Sequence, residues 1–249
     1  MTMRETPAKL GTPAAQPLYA QVKTLMTQRI GSGSWKPGEM IPNEFQLAAE
    51  FNVSQGTVRK ALIELEADKL IVRRQGRGTY VSRHTPQQAL FQFFRMVDDS
   101  DQRLTPTSKP LTQKQQKASK EQASLLEIKV GEPVHVITRV RYFAEDPAIF
   151  ERVMVPVALM PDLSVRPGAE MTDEMYVIYQ ERFHVTINNA RERLRAVAAT
   201  REVARYLHVA EQQPVLEVVR VARDLNGKSV ELRISYCKTT AYSYATEVT

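Results

Sequence analysis

The chain has 249 residues, 43% of them apolar and 25% charged, with a formal net charge of +6. That length suits one large domain or two ordinary ones with packed cores, and the absence of any run of about eighteen apolar residues excludes a membrane-spanning helix. A single cysteine, Cys237, and four scattered histidines exclude a disulfide framework and a cysteine-rich zinc site, which fits a cytoplasmic protein with no metal or other cofactor.

Residues 1–16 contain two basic residues and no apolar core segment, so they read as a disordered tail rather than a secretory signal. The first 83 residues hold twelve Lys or Arg against seven Asp or Glu, whereas the remainder holds 22 against 21. Excess cation confined to one end points to nucleic acid at that end.

Pro17 suits a first helical turn, and Leu18, Val22, Leu25, Met26 and Ile30 then recur at helical spacing up to Gly31. After turn chemistry from Gly31 to Gly38, Asn43 with Gln46 predicts a capped helix through Phe51, its Leu47, Ala48 and Phe51 facing inward. Ser54 caps a third helix, with Val58, Ala61, Leu62 and Leu65 as its buried stripe. Gln55, Gly56, Thr57, Arg59 and Lys60 then face solvent near its start, where a recognition helix meets base edges and phosphates in the major groove of double-stranded DNA. Strands over Leu70–Arg74 and Thr79–Ser82 flank Gln75-Gly76-Arg77-Gly78. The glycines allow close approach to a backbone, and Arg73, Arg74 and Arg77 supply charge.

This ordered set resembles the GntR-type winged helix-turn-helix regulators over residues 17–82. The match includes Pro17-Leu18-Tyr19, Pro37-Gly38, Pro42 with Glu44, Leu47-Ala48, Val53-Ser54, Thr57-Val58-Arg59, Ala61-Leu62 and Gly76 with Gly78-Thr79-Tyr80-Val81. The resemblance implies a DNA surface of Asn43, Glu44, Phe45, Ser54, Gln55, Gly56, Thr57, Arg59, Lys60, Arg74, Gly76, Arg77 and Gly78. Relatives usually carry arginine where Phe45 and Gln55 stand here, so their usual half-site preference does not carry over.

Residues 83–90 are polar around Pro86 and read as a linker, and 91–249 carry an α+β pattern. Strands are predicted over Val134–Tyr142, Ile149–Val155, Thr186–Val197, Pro214–Asp224 and Lys228–Cys237, the last two flanking the hairpin signal Asn226-Gly227. Helices are predicted over Met175–Phe183 and, capped by Thr200, over Arg201–Leu207, and Tyr242–Val248 supplies a closing strand. Period 2 puts Arg139 and Arg141 on one sheet face, and likewise Glu231, Arg233, Ser235 and Cys237. Spacing alone favours an exposed face laced with salt bridges. Convergence in a cleft would instead suit a small anionic or zwitterionic ligand.

Residues from about 90 to 247 resemble the UTRA effector-sensing domain of the HutC subfamily, an antiparallel-sheet α+β fold of chorismate-lyase-like type. The match rests on Arg139-Val140-Arg141, Glu151 with Pro156, Ala204 and Leu207, Pro214-Val215-Leu216, Arg220, Gly227, Glu231, Ser235 and Tyr242. It implies an effector site of Arg139, Arg141, Glu151, Glu231, Ser235 and Cys237, the last standing where relatives carry a ligand-contacting tyrosine. The stretch Leu90–Met96 lacks the Ser/Thr pair with which relatives hold a phosphosugar, so a carboxylate effector is expected in place of an aminosugar phosphate. The whole reads as a ligand-responsive regulator, by family default a repressor, that binds a pseudo-palindromic operator as a homodimer. No catalytic triad, phosphate loop or metal cluster is visible, so an enzyme is not expected. A lyase acting on a small carboxylate and an architectural DNA-binding protein are the alternatives.

Overall fold

A computed structural model describes residues 16–83, 93–171 and 174–246. Except for Gln16 and Arg83, the expected tail and linker lie outside the described residues, as do Leu90, Phe91, Gln92 and everything from 247 on. The chain divides into two compact units, one built from residues up to Arg29 and from Gly38–Ser82, the other from Ile30–Pro37 and from Arg83 onward.

In the first unit, α1 (Leu18–Gly31) is followed by α2 (Glu44–Phe51) and α3 (Gln55–Ala67), then by β1 (Ile71–Arg74) and β2 (Gly78–Val81). Local chemistry sets the helix starts. Asn43 accepts from the Gln46 amide while the Gln46 side chain accepts from the Asn43 amide, a reciprocal capping box, and Ser54 Oγ accepts from the Thr57 amide. Leu47, Val58, Ala61, Leu62, Leu65, Ile71 and Val81 are buried as the core of this unit. The strands pair antiparallel with Ile71 opposite Val81 and Arg74 opposite Gly78. Gly78 has φ +106°, and a Cβ there would stand 3.1 Å from Met40 Sδ, so the tip of this wing requires glycine.

The second unit is a six-stranded antiparallel sheet in the order β4-β5-β6-β9-β8-β7. Its strands are β4 (Thr107–Lys117), β5 (Pro133–Phe143), β6 (Asp146–Pro156), β7 (Ile187–Ala198), β8 (Pro214–Asp224) and β9 (Ser229–Cys237). The helices are α4 (Lys120–Leu126), α5 (Met175–Phe183) and α6 (Arg201–Leu207). A separate two-stranded ribbon pairs β3 (Met96–Val97) with β10 (Ser243–Tyr244).

The two sheet faces differ in chemistry. On one, Val134, Val136, Met154 and Leu232 pack against Ala123 and Leu126 of α4, and Val140, Phe150 and Val215 against Val203, Ala204 and Leu207 of α6. On the other, Ile137 and Val153 lie under Met175, Tyr176 and Tyr179 of α5, while Ile149, Val218 and Cys237 pack with Phe94 and Met96 at the ribbon. Arg139, Arg141, Glu151, Arg220, Glu231 and Arg233 project from this second face.

Two sequence expectations change. The predicted closing strand from Tyr242 shrinks to Ser243–Tyr244 and joins β3 instead of the main sheet. The short strand β3, the edge strand β4 and the helix α4 add to the elements the sequence predicts.

Candidate nucleic-acid interface and anion pocket

The named residues of the first unit fall into two groups. Asn43 and Ser54 spend their side chains on helix caps, and Thr57 shares a 2.9 Å hydroxyl contact with Ser54. Gln55, Gly56, Arg59 and Lys60 are exposed on α3, and Phe45 is 69% exposed at the start of α2, a large apolar side chain left in solvent. Arg59 Nε donates to Glu44 Oε2 at 2.9 Å, which ties the second turn of α3 to the first turn of α2. Lys60 Nζ lies 3.8 Å from the centre of the Tyr19 ring, and the Arg74 guanidinium sits over Tyr80 at 4.9 Å. Arg73 is held back by Glu66 at 3.3 Å and Glu44 at 3.8 Å. Arg77 is exposed between Gly76 and Gly78 at the wing tip, where its carbonyl accepts from the Tyr80 hydroxyl.

In the second unit the strand register assembles a charge cluster. Arg139 stands opposite Glu151, Glu151 opposite Ser235, Arg233 opposite Arg220, and Arg220 opposite Glu192. Arg139, Arg141, Glu151, Glu231 and Arg233 are each less than 5% exposed. This burial separates the cluster from the exposed salt-bridged face that spacing alone favours.

Each arginine has a principal carboxylate, and Arg233 lies within 3.8 Å of a second, Glu151. Arg139 Nε donates to Glu151 Oε2 at 2.7 Å, and Ser235 Oγ donates to Glu151 Oε1 at 3.1 Å. Arg233 forks onto Glu231 through Nε at 3.0 Å and Nη2 at 2.9 Å, and Glu231 also accepts from Tyr176 at 3.2 Å and Tyr179 at 2.7 Å. Arg220 Nε meets Glu192 at 2.5 Å, and Glu192 accepts further from Tyr244. Arg141 Nη2 meets Glu174 at 2.5 Å. Burial alone would raise the Glu151 carboxyl, but the charges of Arg139, Arg233 and Arg141 outweigh it and hold it well below the usual carboxylate range. Burial pushes the Arg141 guanidinium down to about 10 against the pull of Glu174.

Two small adjoining cavities of about 20 and 30 Å³ open beside this cluster, sharing Phe94, Arg141, Arg220 and Arg233 as walls. Glu151, Ser235 and Cys237 line the second. Arg139 and Glu231 lie behind the wall, where they brace Glu151 and Arg233. Cys237 is buried among Ile149 and Val218, and burial pushes its thiol far up, so it serves as a small apolar wall.

The sequence places Arg233 on the shared face of the last hairpin and Arg220 in the pattern of the resemblance without assigning either to the effector site, and it singles out none of Glu192, Glu174, Tyr176 and Tyr179. Arg233 carried a usable signal, since it lies two residues from Glu231 on one strand. The Arg220–Glu192 pair needs the β7–β8 register, and the tyrosines need the docking of α5, neither of which is local.

Comparison with known proteins follows the same division. The pattern of the UTRA domain matches residues 101–243, and that of bacterial regulatory proteins, gntR family, matches residues 18–81. The chain is similar to the mannosyl-D-glycerate transport/metabolism system repressor MngR of Escherichia coli (strain K12), at 29% identity over 92% of this chain and 95% of that protein. It is 30% identical to the histidine utilization repressor of Pseudomonas putida over 82% of this chain and 81% of that one. Among solved structures, the ligand-binding domain of a protein from Bordetella bronchiseptica assigned to the GntR-family transcriptional regulators superposes with a TM-score of 0.58 at 26% identity, covering 64% of this chain and 98% of that one.

Proposed function

Because this chain belongs to the gntR family of bacterial regulatory proteins and carries a UTRA domain, we propose that it is a repressor released from its operator by a small carboxylate metabolite. That it is a DNA-binding transcriptional regulator follows from the family. The rest is our reading. It binds a pseudo-palindromic operator as a homodimer in the cytoplasm, because one recognition helix reads few bases and two half-sites multiply the discrimination. Gln55, Gly56, Thr57, Arg59 and Lys60 meet the major groove, Phe45 and Glu44 flank them, and Arg74, Gly76, Arg77 and Gly78 meet the backbone or minor groove. Asn43 and Ser54 fix the helix starts beneath that surface.

The observation that carries the effector reading is the buried cluster of paired arginines and glutamates opening into a pocket. Buried charge of this density on a sheet face is costly unless paired, and it clusters where charged ligands are handled. Arg141 and Arg233 would hold the anion, with Glu151 and Ser235 beside it. Two relatives bear names built on mannosyl-D-glycerate and histidine, both carboxylate-bearing molecules, which supports a carboxylate. We read the protein as a binder and not an enzyme, since its one thiol is buried and poorly ionised.

The test is selection of bound sites from random DNA, with and without a metabolite panel, followed by isothermal titration of the hits. A palindromic motif lost in the presence of a carboxylate supports the reading. Tight binding of an aminosugar phosphate, or turnover of any bound ligand, would overturn it.

A further inference from the structure

Three of the four carboxylates in the buried cluster belong to sheet strands and are held by more than one donor. Glu231 accepts from Arg233, Tyr176 and Tyr179, Glu151 from Arg139 and Ser235, and Glu192 from Arg220 and Tyr244. Glu174 differs on each count. It reaches in from outside the sheet, at the N-cap of α5, and its side chain caps no amide. Among the described residues its one side-chain hydrogen-bond partner is Arg141.

Arg141 is correspondingly half used. Its Nη2 meets Glu174 at 2.5 Å, whereas its Nε is buried without a hydrogen-bond partner. Its side chain is 3% exposed and lines both pockets. A guanidinium presents Nε and Nη2 as a planar fork that fits both oxygens of a carboxylate. Glu174 occupies one tine of that fork.

We propose that Glu174 is a tethered stand-in for the ligand's own carboxylate: a monoanionic ligand displaces it, takes both Nε and Nη2 of Arg141, and frees the first turn of α5. The proposal rests on reading the pocket as the effector site. Charge balance selects the ligand class. Four arginines face four glutamates, so withdrawing Glu174 leaves one positive charge uncompensated, and one carboxylate restores neutrality. A phosphate dianion would leave excess negative charge in a desolvated site, where unpaired charge is strongly disfavoured. Tyr179 holds the second turn of α5 to Glu231 at 2.7 Å independently of Glu174, whereas the first turn has the longer Tyr176 contact at 3.2 Å, so the exchange loosens the start of the helix and leaves its remainder anchored. Ligand binding is thereby converted into a shift of one element.

Acetate is the probe, titrated by calorimetry into the full-length protein at constant ionic strength with chloride as the reference anion. Glu174→Gln is expected to bind acetate at least tenfold more tightly than the wild type. Adding Arg141→Met is expected to abolish that binding, and inorganic phosphate at pH 8 is expected to show no comparable gain. Equal acetate affinity in wild type and Glu174→Gln overturns the stand-in while leaving the pocket reading intact. Acetate binding that survives Arg141→Met overturns both. No acetate binding by either protein, or a larger gain for phosphate than for acetate, overturns the stand-in as stated. Should Glu174→Gln not fold, hydrogen exchange on the wild type decides. Saturating acetate should speed exchange over residues 175–178 and leave 179–183 unchanged, and an unchanged first turn sinks the proposal.

Discussion

At Glu151 three guanidinium groups act on one carboxyl that burial would otherwise neutralise. Removing one member of a buried pair leaves the other uncompensated, so Glu151→Gln should destabilise the second unit by about 3–5 kcal/mol in urea unfolding. The pH dependence follows from the same charges. The folded pKa lies below the unfolded value of about 4.3, so this stabilisation is complete above that pH and is lost as pH falls toward the folded value. Glu151→Gln should therefore flatten the acid limb of the stability curve, and an unchanged limb would contradict the assignment. Tyr176, pushed up to about 12 by burial and by Glu231, has the opposite sense, its contribution being complete below about pH 10 and lost above it. On the DNA surface, Arg59→Ala should cost operator binding about 1–3 kcal/mol at fixed salt, and Arg77→Ala should weaken binding while lowering the salt slope by about one. A gel-shift titration showing unchanged affinity for both would reject the proposed surface.

Among the elements, those announced by local chemistry were the legible ones. Asn43, Ser54 and Thr200 cap helices where the sequence places them, and Asn226-Gly227 closes the β8–β9 hairpin with Gly227 at φ +77°. Ser54→Ala should cost about 1 kcal/mol of stability, measured by thermal unfolding, and should weaken operator binding because the same cap orients Gln55 through Lys60. The strand β4 was hidden by its own chemistry. TSKPLTQKQQK is polar, breaks register between Pro110 and Thr112, and lies at the sheet edge, where pairing on one side alone leaves no strong alternation. The Ser119–Gln122 capping box of α4 was present in the sequence, but seven residues carry too little periodicity to declare a helix. Half of the anion site was visible for a related reason. Period 2 reveals which residues share a face of β5 or β9, whereas Glu174 and the α5 tyrosines reach the cluster through tertiary packing that no local pattern encodes.

For the whole molecule, the excess cation on the first 83 residues and the buried, balanced charges of the second unit predict two different responses to salt. Operator affinity should fall steeply with ionic strength, by about 0.9 log units per log unit of salt for each phosphate neutralised, whereas affinity for a pocket ligand should change far less. Fluorescence anisotropy on DNA and calorimetry on ligand across one salt series would test this, and parallel slopes would contradict it. The equal number of arginines and glutamates in the cluster also bears on how long the protein lasts in a cell. A sensor domain with uncompensated buried charge would depend on its ligand to remain folded, and its abundance would follow the ligand's supply. Here the compensating carboxylates are all part of the chain. The regulator should therefore stay folded in starved as in fed cells, so that the level of its target transcript reports the metabolite itself and not the history of the regulator.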